Sequence, residues 1–314
     1  MTAAVRAIAV EGWDPSMGSA LSPLDRMAAS PGPVDVDVEV AGADWGPVSP
    51  APDAAARGPV RFVDGVRRIE GTLWLSTPGE RTRQALAASI AAGTVCCDGP
   101  KATVEACEVQ RLLLGPAGTV PTLPTSAGAF EARGVADDDA DTLRAGVQER
   151  LRKLERRLLA AAADADLLLV DGPLDAGVAV DHAVGYVKTH HVAYLDDEVA
   201  TTVAALAPGQ RTPVFLATSS WTRFSWYLRL PYGSGHEWAG IVRCEASGDL
   251  SVAEVVALAD RTAATLPRFA SQPHKDRRAP QNLYPIGGLE QQLTHRLGDA
   301  AHVLRALRAA AAGH

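Results

Sequence analysis

Cysteine is scarce in this chain and follows no metal-binding pattern. Cys96, Cys97, Cys107 and Cys244 include no Cys-x-x-Cys pair, so free thiols are expected rather than a zinc site. Aromatic residues make up only 5% against abundant alanine, which we read as compositional habit. Positive charge is not in excess: 30 Lys and Arg stand against 37 Asp and Glu, a net charge of −7. No global field therefore attracts nucleic acid, and a DNA or RNA partner would need a local basic surface. No apolar run approaches the ~20 residues that cross a bilayer. Met1 to Arg6 does not open a secretory leader. Internal repeats and a nucleotide-binding glycine loop are missing too. These absences predict a soluble, cytoplasmic protein with no membrane partner.

What is present begins with Leu167-Leu168-Leu169-Val170-Asp171-Gly172-Pro173. Four apolar residues in a row read as a strand buried on both faces, and Gly-Pro forces a turn after the Asp. A similar unit, Val60-Arg61-Phe62-Val63-Asp64-Gly65, precedes Val66 to Leu75, and the pair reads as a β-hairpin. Residues 1–55 are rich in Pro, Gly, Ala and Asp, with alternation at Val34 to Val40 that predicts an edge strand. That stretch is expected to lean on the main domain as an N-terminal extension, with the principal domain over 56–314.

A helix is expected from about Thr142 to Ala163, with an apolar stripe of Leu143, Val147, Leu151, Leu154 and Leu158. Ala183 to His191 reads as a strand or turn, and strands are expected around Thr212 to Thr218, Arg223 to Leu230 and Trp238 to Glu245. Helices are expected at Asp197 to Leu206, Ser251 to Leu266 and, closing the chain, Gly288 to Ala312.

Strand-Asp, hairpin, helix with Glu, strand-Asp is the order of acidic residues in the ribonuclease H-like fold. The chemistry explains such an order, because two divalent ions can clamp the attacking and leaving oxygens of a phosphodiester. Manganese and magnesium prefer carboxylate oxygens. Of the helix acids, at ~100° per residue Glu155 falls about 80° from the stripe centre and Glu149 about 160°. Glu155 is therefore the better companion for Asp64 and Asp171. Each Asp-Gly taken singly also fits an ordinary turn.

Further stretches add specificity: Leu154-Glu155, Gly185-Tyr186-Val187-Lys188-Thr189-His190, Arg223 to Pro231, and the tail from His274 to Leu289. With the two Asp-Gly strands they make the chain resemble the NurA nuclease family, in its shorter bacterial form, from about residue 60 onward. The resemblance implies an α/β fold with a ribonuclease H-like (Piwi-like) mixed sheet flanked by helices. It implies manganese-dependent DNA degradation, with magnesium as the alternative metal, in end processing for double-strand break repair. It further implies a homodimer working with a HerA- or FtsK-type hexameric ATPase. Asp64, Glu155 and Asp171 would be the metal ligands, and Tyr284 matches the family's Tyr before Pro; read by itself, Lys188 fits either a charge that neutralises the scissile phosphate or a surface lysine.

Lys275, Arg277 and Arg278 could track a DNA backbone alongside Lys188. Trp221, Trp226 and Tyr227 fit core positions better than base stacking, and His190 and His191 a structural role. One position departs from the family: its His, eight residues after the Tyr, is Gln292 here. His295 is expected on the face opposite Leu289, Leu293 and Leu297, so Glu290, His274 or Asp276 are the other groups that could fill the gap. The departure motivates an alternative reading, a non-catalytic partner of an ATPase or a DNA-binding scaffold. A nuclease of the same fold acting on RNA is a third.

Overall fold

The computed structural model describes residues 13–17, 19–21, 27–76, 78–79, 81–178, 180–233 and 235–313. The Met1 to Arg6 stretch read above lies outside the described residues. The strands are β1 (Ala28–Ala29), β2 (Val34–Asp35), β3 (Val60–Leu75), β4 (Arg83–Asp98), β5 (Lys101–Pro116) and β6 (Glu131–Val135). After α1 (Ala140–Ala161) come β7 (Leu167–Asp171), β8 (Ala183–Val187), β9 (Val192–Ala193) and α2 (Asp197–Ala205). The chain continues through β10 (Phe215–Thr218), β11 (Thr222–Arg229), β12 (Ile241–Ser247), α3 (Val252–Thr265), α4 (Tyr284–Arg296) and α5 (Ala300–Ala312).

The fold is α/β, with a ten-stranded mixed sheet in the order β2-β10-β11-β12-β8-β7-β3-β4-β5-β6, flanked by helices as expected. The β7/β8 and β5/β6 pairs are parallel, whereas β10/β11, β11/β12 and β12/β8 are antiparallel. The chain divides into two compact units. One comprises Met1–Phe62, Cys96–Ala102 and Ala162–Gly287; the other comprises Val63–Val95, Thr103–Ala161 and Gly288–His314.

In the second unit, period-two alternation sends successive side chains of β4 to opposite faces. Leu86, Ala88, Ile90 and Ala92 meet Leu143, Val147, Leu151 and Leu154 of α1. Ala85 and Ala87 belong to a separate cluster with Phe130 and with Val303 and Leu307 of α5. The α1 stripe is therefore as expected, with Leu159 buried and Leu158 half-buried.

In the first unit, Phe215 and Tyr227 meet Val203 and Leu206 at α2. The buried Trp226 donates its indole N–H to Thr262 of α3 at 3.0 Å. A capping box of Ser251 and Glu254 starts α3. Arg211, 1% exposed, joins Glu39 at 2.8 and 2.9 Å and Asp260 at 2.7 Å, which ties the N-terminal segment to this unit.

Three local expectations need correction. The first Asp-Gly is not a hairpin turn, because Val60 to Leu75 forms one continuous strand that passes through Gly65. The alternating Val34 to Val40 segment pairs only over Val34–Asp35, although it does lie at the sheet edge. The closing helix is two helices. Gly298, at φ +79°, ends the first, and the Asp299 carboxylate caps the second by accepting from the His302 N–H. The carbonyls of Leu297 and Gly298 are taken up by Arg68 and Arg111.

Candidate active site

Two groups of residues surround the acidic positions, one in each unit. In the second unit α1 lies against β3 at the residue following Asp64. A Cβ built at Gly65 would collide with the Glu155 carboxylate and come within 2.7 Å of Leu151. Glycine there is what allows Glu155 to approach the strand. Asp64 itself is 5% exposed, and its Oδ1 accepts the Gly65 N–H at 2.7 Å. Glu149 is half exposed and paired with Lys153 and Arg156, the surface role expected of it.

In the first unit β7 delivers Asp171 at its C-terminal end, opposite Tyr186 of β8. Lys188 leaves the end of β8 and sends its ammonium 2.6 Å from Asp171 Oδ2 and 3.0 Å from Asn282 Oδ1. Lys188 is 7% exposed, so this cation is withdrawn from bulk water. The other carboxylate oxygen, Asp171 Oδ1, is buried and has no hydrogen-bond partner. The turn that follows is held by the Gly172 N–H to the Tyr186 carbonyl and by the Leu174 N–H to buried Glu245. Glu245 in turn pairs with Arg223 and Arg243, each at 2.9 Å.

The 271–283 segment closes over Lys188. Asn282, 2% exposed, donates through Nδ2 to Asp276 Oδ2 at 2.7 Å, and Asp276 Oδ1 accepts the Arg278 N–H at 2.7 Å. The buried Tyr186 hydroxyl donates to the Gln281 carbonyl at 2.7 Å. Sequence reasoning missed Asn282 as a site residue, although it stands two positions before Tyr284 in a stretch already singled out.

The remaining expected residues divide by exposure. Tyr284 is 38% exposed, and Lys275 Nζ lies 5.3 Å above its ring. His274, Lys275 and Arg277 are exposed and Arg278 is half-buried. Arg277 stands 3.9 Å from Asp14, so the basic cluster is partly compensated. Glu290 is half-buried, whereas Gln292 and His295 are both exposed. Trp226 and Tyr227 are core residues. All four cysteines are free thiols, and burial pushes the Cys97 thiol up to about 11.

Among the described residues no three His, Cys, Asp or Glu side chains are grouped to hold a metal ion as they stand. Asp171 nonetheless presents a buried carboxylate oxygen with no hydrogen-bond partner, the kind of oxygen a hard divalent cation prefers. No helix among the described residues is long and apolar enough to cross a membrane.

The NurA domain family model matches residues 104–284, more than half of the chain. The chain belongs to the NurA domain family. Solved structures similar to it include the NurA nuclease of Sulfolobus solfataricus, at 10% identity and a TM-score of 0.42 over 81% of this chain and 84% of that one. Another is the catalytic domain of human endonuclease V, at 17% identity and a TM-score of 0.33 over 87% and 92%. A third is endonuclease V of Bacillus subtilis, at 10% identity and a TM-score of 0.31 over 87% and 86%. These likenesses are distant, and no residue role follows from them. No curated protein matches the sequence. The matched NurA domain contains Glu155, Asp171, Lys188, Asn282 and Tyr284; Asp64 lies before it.

Proposed function

We propose that this NurA domain protein is a metal-dependent DNA nuclease. The observation that carries the reading is Asp171, held by Lys188 through one oxygen and leaving the other buried and bare within the matched domain. Asp64, Glu155 and Asp171 are the proposed ligands, manganese the proposed metal and magnesium its substitute. Bound divalent ions would supply the Lewis acidity that activates water and stabilises the departing oxygen.

The chain's own part is to bind and orient. Asp64 within β3, Asp171 at the end of β7 and Glu155 on α1 are carried on regular elements that leave the carboxylates little freedom to move. Lys188 keeps a positive charge beside Asp171, where it can neutralise a phosphodiester oxygen as charge develops. Lys275, Arg277 and Arg278 supply backbone contacts that carry no sequence preference. Tyr284, exposed beside Lys275, is available to the substrate. A role in break-end processing, a homodimer, a HerA- or FtsK-type ATPase partner and a cytoplasmic location complete the proposal by family membership.

DNA degradation in manganese, with wild type set against Asp64→Ala and Asp171→Ala, tests it. Both variants are expected to lose cleavage. Cleavage that survives both changes overturns the reading. Wild-type protein that neither cleaves nor binds manganese would favour the non-catalytic alternative, which the exposed Gln292 in place of the family His already motivates.

A further inference from the structure

The contacts of Lys188 continue through buried Asn282 to half-buried Asp276, a chain of groups whose polarity is fixed. Asn282 Oδ1 accepts from Lys188 at 3.0 Å while its Nδ2 donates to Asp276 Oδ2 at 2.7 Å. The reversed amide would turn an N–H toward an ammonium and a carbonyl toward a carboxylate, so only one orientation satisfies both neighbours. Asp276 is fixed by the Arg278 N–H on its other oxygen. Gly287 allows all of this: a Cβ there would stand 2.7 Å from Asp276 Oδ2 and 3.1 Å from Asn282 Nδ2. Beside an alanine the Asp276 oxygen would have to shift and the Asn282 amide would be crowded. At the far end, Lys188 pins Asp171 Oδ2 at 2.6 Å and leaves Oδ1 without a partner.

We infer that Asp276 and Asn282 are positioning residues that act through Lys188 to aim Asp171 Oδ1 at a divalent cation. This inference rests on reading Asp171 as a metal ligand. Asn282 supplies the neutral acceptor that lets Lys188 approach Asp171 from one side only. Asp276 keeps that acceptor turned toward Lys188. Outer partners that orient a metal-binding side chain commonly change affinity 10–100-fold when removed, and a similar loss, on the order of 10–100-fold, is expected here.

Mn(II) binding to the full chain without DNA, followed by electron paramagnetic resonance, tests the inference apart from catalysis. Asn282→Leu and Asp276→Leu should each weaken Mn(II) binding by about 10–100-fold in protein that is still fully folded at the assay temperature, its melting temperature lowered by the lost buried hydrogen bond. Gly287→Ala should act in the same direction and serves if Asn282→Leu does not fold. Asn282→Asp should also weaken binding, because the new carboxylate faces Asp276 and competes with Asp171 for Lys188. Wild-type affinity in both leucine variants, with Asp171→Ala abolishing binding, overturns the inference and leaves the nuclease reading intact. Absence of Mn(II) binding in wild type overturns both.

Discussion

Lys188 Nζ stands 2.6 Å from Asp171 Oδ2 in a position where the lysine is only 7% exposed. A cation this well buried is stable because a carboxylate compensates it, and removal of either partner strands the other. Lys188→Met is therefore expected to cost about 3–5 kcal/mol in urea unfolding. In the nuclease reading the same change removes the charge facing the scissile phosphate, and turnover on saturating DNA should fall by about 10²–10³. Turnover within threefold of wild type would remove Lys188 from the reaction.

The approach of α1 to β3 yields a second test. Gly65→Ala places a methyl against the Glu155 carboxylate and Leu151, within a strand whose neighbours are already buried. Overpacking of this kind costs about 1–3 kcal/mol. Because Glu155 must move, cleavage should fall further than the stability loss explains. Gly288→Ala is the matched control, since a Cβ there meets nothing within 4 Å and the residue lies in α4. It should be neutral, or stabilise by about 0.5–1 kcal/mol through helix propensity. Equal cleavage by the two variants would detach Glu155 from the chemistry.

Much of this architecture was legible in the sequence because it rests on periodicity. The α1 stripe and the burial of β7 follow from residue spacing, and the β11/β12 pair from two apolar runs separated by a turn. Helix geometry separated Glu155 from Glu149 for the same reason. Gly65 misled because a glycine that relieves a side-chain collision looks, in one dimension, like a glycine that makes a turn. The break at Gly298 was hidden by the unbroken apolar stripe on either side of it. Asn282 depends on a contact to Lys188, 94 residues away in the chain, and no local pattern encodes it.

Arg211 offers a stability prediction independent of catalysis. It is 1% exposed and shared between Glu39, in the N-terminal segment, and Asp260 of α3. Arg211→Met would leave Glu39, whose second role is to accept the Val214 N–H at 2.7 Å, without its cation. A loss of about 3–5 kcal/mol is expected by urea unfolding. Limited proteolysis should then cut first within residues 27–55. Stability unchanged within about 1 kcal/mol would mean that the ion pairs only balance their desolvation.

His190 gives the chain a defined response to acid. The ring is 3% exposed, lies 5.7 Å from Tyr227 and 5.3 Å from Trp238 by centroid, and its Nε2 faces the Ile241 carbonyl at 3.1 Å. A carbonyl only accepts, so Nε2 carries the proton of a neutral imidazole. Burial, with Arg243 adding its charge, lowers the pKa from 6.5 to about 4. The unfolded chain therefore binds the extra proton first. Stability from this residue is complete above about pH 6.5 and drains away as pH falls toward 4, by about 3 kcal/mol in all. His190→Phe cannot take up that proton. Urea unfolding at half-unit steps from pH 4 to 7.5 should show a flatter acid limb for the variant, even if its stability at pH 7.5 is lower by the lost hydrogen bond, about 1–3 kcal/mol. Parallel limbs for the two proteins would place the acid sensitivity in the carboxylates instead.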